Sequence, residues 1–125
     1  MSNSEYQAGV CNIGGPEVAR RKQVSIFGLI AFLIASVGLI SGDASSGLRL
    51  VVFIPAMLFA VGYFQARRKF CFAFGLMGTF NFGELGKLSK VASPEAIAAD
   101  RRAAIGIIVQ SLLLALSMSF LVASI

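Results

Sequence analysis

The stretch Gln65-Ala66-Arg67-Arg68-Lys69-Phe70-Cys71 ends an apolar run with three consecutive cations and then returns to phenylalanine-rich sequence. Adjacent charged heads are too costly for hydrocarbon, so these cations read as a turn held in water beside a membrane segment. The apolar run before it, from about Leu48 to Phe64, is then a span. Further out lie two more such runs, from about Val24 to Ser41 and from Ala103 to Ile125. The first, of 18 residues, reaches ~27 Å at ~1.5 Å per residue, close to the hydrocarbon thickness of ~30 Å.

Composition agrees. Of 125 residues 57% are hydrophobic and 14% charged, whereas soluble domains carry about 25% charge. We therefore expect an all-α membrane protein with three transmembrane helices in a single domain over residues 1–125, joined by a cytoplasmic or interfacial loop at 65–102. Ten of the eleven cations (Arg20, Arg21, Lys22, Arg67, Arg68, Lys69, Lys87, Lys90, Arg101 and Arg102) fall on one side of that arrangement, with Arg49 alone on the other. The positive-inside rule then predicts a cytoplasmic N-terminus and an outward C-terminus. Residues 1–15 are polar and lack a compact charged n-region, so an uncleaved anchor is expected. The net charge of +5 sits in clusters beside apolar runs, which points to topology and anionic lipids rather than nucleic acid. With no histidine in the chain, a His-ligated haem or pigment is not expected.

Local signals place the remaining elements. Gly15-Pro16-Glu17 and Ser93-Pro94-Glu95 each suit a helix start, with proline in the first turn and a carboxylate at the positive helix end. The second predicts one continuous helix of about 30 residues that begins in water and includes Asp100, Arg101 and Arg102 before its apolar part. The turn at 42–47 makes the first two spans an antiparallel hairpin. Arg49 at its mouth can snorkel to the headgroups. Pro55 is expected to kink the second span. Phe70 to Phe82, with five phenylalanines and two glycines, is too short for a straight span and too apolar for a free loop. It reads as an interfacial or re-entrant segment. The polar stretch from Gly83 to Val91, with Glu84, Lys87 and Lys90, reads as cytoplasmic surface.

Three groups of residues are candidates for function. Gly28, Ala31, Ala35 and Gly38 form a stripe of small residues on the first span, and Gln110 and Ser111 a polar face on the third; both suit close packing against another helix. Arg67, Arg68, Lys69, Phe70, Phe72 and Phe74 have the make-up of an anionic-lipid clamp or partner-docking face, and equally of a plain stop-transfer signal. Cys11 and Cys71 are expected on the same side of the membrane. Two thiolates are half of a four-sulfur metal site, so an oligomer could assemble zinc or an iron–sulfur cluster from them. Cationic neighbours favour such chemistry at Cys71. The alternative is that both are small buried apolar residues, and no CxxC motif decides between them. Asn12 to Glu17 enters a helix N-terminus that could receive an anion, but no Walker-type lysine follows.

No span carries Asp, Glu or Lys near its centre, which argues against an ion-coupled transporter. No established catalytic motif is present, and we expect neither enzymatic activity nor a bound cofactor beyond the thiol alternative. The segments C-N-I-G, P-E-x-x-R-R, Q-A-R-x-x-F-C and F-N-F-G resemble a group of small uncharacterised prokaryotic membrane proteins. That resemblance covers the chain through Gly83 and implies a prokaryotic inner-membrane location, with Cys11 and Cys71 as part of the pattern. The function expected is a small accessory subunit of a larger membrane complex, contacting other subunits or itself and anionic lipids.

Overall fold

In a computed structural model, the chain is an all-α protein with three helices long and apolar enough to cross a membrane. The structure describes residues 6–83 and 88–125, so Glu84 and Lys87 of the expected surface stretch lie outside the described residues. Helix α1 (Gly15–Ser41) is followed by the short α2 (Ser46–Arg49), one 3-10 turn (Leu50–Val52) and α3 (Phe53–Arg68). Then come α4 (Phe72–Met77), the two-residue strands β1 (Thr79–Phe80) and β2 (Ser89–Lys90), and α5 (Pro94–Ser124).

The helix ends follow local chemistry. Pro16 occupies the first turn of α1, and Ser93 caps α5 by accepting a hydrogen bond from the Ala96 N–H at 3.3 Å. Helix α5 is continuous for 31 residues, about 46 Å. The second span, Ser46–Arg68, is irregular at Leu50–Val52, a few residues before Pro55. Proline lacks the N–H that would bond four residues back, so the ladder is interrupted there and the 3-10 turn takes up the difference. Lys69 ends α3 in the left-handed conformation, with φ of 53°.

Helix α3 packs against both α1 and α5. Small side chains line these contacts: Ser25, Gly28 and Ser36 on α1, Ala56, Ala60 and Gly62 on α3, and Ala104, Ser111, Ala115 and Ser119 on α5. Backbones meet closely as a result. A Cβ at Gly28 would lie 2.4 Å from the Phe59 nitrogen, and one at Gly62 would lie 2.7 Å from the Arg21 carbonyl oxygen. Without an apolar driving force between helices in lipid, this close approach supplies the dispersion contact that holds a span pair together. Phe32, Val52, Ala56, Ala115 and Val122 form the inner cluster, and Phe70, Ala104 and Ile107 a second at the end rich in cations. We call that the basic end.

The phenylalanine-rich segment is neither wholly extended nor wholly helical. Cys71 is extended, α4 is helical, and β1 pairs antiparallel with β2 through Thr79–Lys90 and Phe80–Ser89. The segment lies against the first turns of α5, where Gly75 faces the Asp100 carbonyl and Gly78 faces Ile97. This makes it a cap on the basic end. At the opposite end Arg49, expected to reach the headgroups, is 8% exposed and donates to the Ile125 carbonyl oxygen at 3.0 Å. A cation there complements the negative end of α5.

Candidate functional site

Polar side chains concentrate at the basic end, where the segment before α1 threads between the α3–α4 turn and β1. The left-handed Lys69 leaves its carbonyl oxygen open to the N–H groups of Asn12 and Ile13, at 3.1 and 3.3 Å. The Asn12 amide then pairs with the Cys71 backbone as a second peptide would. Its Nδ2 donates to the Cys71 carbonyl at 3.1 Å and its Oδ1 accepts the Cys71 N–H at 2.7 Å. On the other side the Asn81 N–H donates to the Asn12 carbonyl at 2.9 Å, and the Gly14 N–H to the Asn81 carbonyl at 2.8 Å. The Asn12 side chain is fully buried, and these bonds satisfy backbone groups that water cannot reach.

The network continues through charge. Asn81 Nδ2 donates to Glu17 Oε2 at 3.1 Å, and the other Glu17 oxygen is ion-paired with Arg21. Arg21 reaches on to the Cys71 Sγ at 3.0 Å and lies 5.6 Å from the Phe74 ring centroid. A guanidinium fits this place because its planar donors can face a carboxylate, a sulfur and an aromatic ring together.

A second joint fastens the N-terminal strap to α5. Asp100 is fully buried, accepting from the Tyr6 hydroxyl at 2.5 Å and the Gly9 N–H at 2.7 Å, while the Tyr6 ring stacks on Phe80. Burial, then the hydrogen bond and negative charge of Asp100, push the Tyr6 hydroxyl above its ordinary pKa. Asp100, expected in water beside Arg101 and Arg102, is thus the strap's anchor.

The candidate residues are distributed as follows. Phe70 is core, and Phe72 and Phe74 are half-buried. Arg67 donates to the Tyr63 hydroxyl, Arg68 donates to Gln110, and Lys69 is exposed, so the cationic cluster is divided among separate tasks. Gly28 lies in the α1–α3 contact and Ala35 at its flank, while Ala31 and Gly38 are exposed. Ser111 is buried among the spans; its neighbour Gln110 is exposed. Cys11 and Cys71 are not joined in a disulfide and line different cavities, of about 370 and 480 Å³. Among the described residues, no three His, Cys, Asp or Glu side chains gather as a metal site.

Sequence reasoning missed Asn12, Asn81, Tyr6 and Asp100 as structural centres. A signal was available for two of them: each asparagine stands between apolar residues, in C-N-I-G and F-N-F-G, where a buried amide must find partners. Compared with protein-family models, curated proteins and solved structures, the chain matches none. Its class therefore rests on its own helices, as a multi-pass membrane protein.

Proposed function

We propose that this chain is a small structural or accessory subunit of a larger membrane assembly, set with its basic end in the cytoplasm. The observation that carries the reading is the use made of the buried carboxylates. Glu17 and Asp100, 4% and 0% exposed, hold the strap, the α3–α4 turn and β1 to the ends of the spans. Acids committed to such bonds build a rigid cap, while the outward faces of α1 and α5 within the spans are largely apolar, broken on α5 by the exposed Gln110 and Ser117. A rigid three-span body with little mass outside the lipid suits a partner that docks alongside. The test is affinity recovery of the full-length chain in mild detergent after in-membrane crosslinking. Defined stoichiometric partners are expected; recovery of the free monomer alone would overturn the proposal.

A further inference from the structure

Between α1 and α3 at the basic end lies a groove of about 420 Å³, lined by Lys22, Ser25, Ile26, Tyr63, Ala66 and Arg67. It is separate from the cavities beside the two cysteines. Its outer rim carries two exposed cations, one from each helix, and none of its lining residues is acidic. Lys22 makes no hydrogen bond or ion pair among the described residues. Arg67 donates to the Tyr63 hydroxyl at 2.9 Å, which steadies its guanidinium and leaves further N–H groups open. The Ser25 hydroxyl is already given to the Phe59 carbonyl at 3.2 Å, so the floor presents no free donor.

The groove is polar at one end and apolar along its length. On α1, Lys22, Ile26 and Ile30 are four residues apart and share a stripe; on α3, Arg67, Tyr63 and Phe59 do the same, with the two rings 5.9 Å apart. The helices are close enough for these stripes to lie side by side because Gly62 meets the backbone of Arg21 and Ser25. Two cations above paired apolar stripes match one kind of molecule, an amphiphile with an anionic head and a hydrocarbon tail.

We propose that this groove seats an anionic glycerophospholipid, its phosphate between Lys22 and Arg67 and an acyl chain along Ile26, Ile30 and Tyr63. The seat stands whether or not the chain has a protein partner. Among the cations expected to act as a lipid clamp, Arg67 is the one that lines the groove, and Lys22 is its counterpart from the first span.

The test is lipid retention by the full-length protein, purified in mild detergent and read by native mass spectrometry. Phosphatidylglycerol and phosphatidylcholine of identical acyl chains are offered at equal concentration. The parent is expected to retain phosphatidylglycerol selectively. At about 1 kcal/mol per cation near a lipid phosphate, Lys22→Gln with Arg67→Gln should weaken retention roughly thirty-fold. Lys22→Arg with Arg67→Lys should keep it, as should Arg101→Gln with Arg102→Gln at a distance. Equal retention of both lipids, or an undiminished double Gln variant, would overturn the assignment. So would displacement of phosphatidylglycerol by millimolar inorganic phosphate, which would mark the rim as a site for a free anion.

Discussion

Replacing Asn12 by alanine removes both bonds to Cys71, one at 3.1 Å and one at 2.7 Å. It leaves the Cys71 N–H without that partner at a position 2% exposed, while the Cys71 carbonyl keeps the Gly75 N–H at 2.9 Å. An unsatisfied buried backbone group costs about 1–3 kcal/mol, so the orphaned Cys71 N–H should shift local opening by about that amount. The Cys71 thiol reports this directly, because an alkylating reagent reaches it only when the turn opens. In a Cys11→Ser background, maleimide labelling of Cys71 should accelerate by roughly five-fold to 150-fold. Asn12→Asp sharpens the test. The carboxylate still accepts the Cys71 N–H but sets an oxygen against the Cys71 carbonyl, so labelling should be at least as fast as in Asn12→Ala. Rates within three-fold of the parent for both variants would refute the view that this amide holds the turn.

Gly62→Ala would force a methyl group to 2.7 Å from the Arg21 carbonyl and the Ser25 nitrogen, atoms that move only if the helices part. Overpacking of this kind costs about 1–3 kcal/mol, so thermal unfolding in detergent should fall by about 5 °C or more. Gly38→Ala, with nothing within 4 Å, should not lower the midpoint. The strap should also respond to alkali. Because folding raises the Tyr6 hydroxyl pKa, its contribution is complete below the free phenol value of about 10 and is lost as pH rises through the higher folded value. Hydrogen exchange should therefore show the Gly9 amide equally protected at pH 7 and 9, with protection failing above about 10. Tyr6→Phe should lose part of that protection at neutral pH and abolish the alkaline step; a variant that kept the step would place the titrating group elsewhere.

Three spans, their approximate limits and the starts of α1 and α5 were legible because each depends on neighbours in sequence. A run of apolar residues, a proline in a first turn or a capping serine acts over one helical turn or one lipid thickness. The irregular second span was half legible: Pro55 announces a break, but the backbone makes its adjustment a few residues earlier, at Leu50–Val52.

The cap was not legible in the same way. Asn12 and Cys71 are 59 residues apart, Glu17 and Asn81 64, and Gly9 and Asp100 91, and each side chain taken alone is an ordinary polar residue beside a membrane segment. Composition and periodicity describe what a segment can bury locally. They do not say which distant backbone group will lose its water when the spans assemble, and that loss makes a buried amide or carboxylate indispensable. The amino-acid order therefore suffices for the number of crossings and the clustering of cations toward one end. Which acids become fasteners, which phenylalanines become core, and which two cations meet across a groove follow from how α1, α3 and α5 pack.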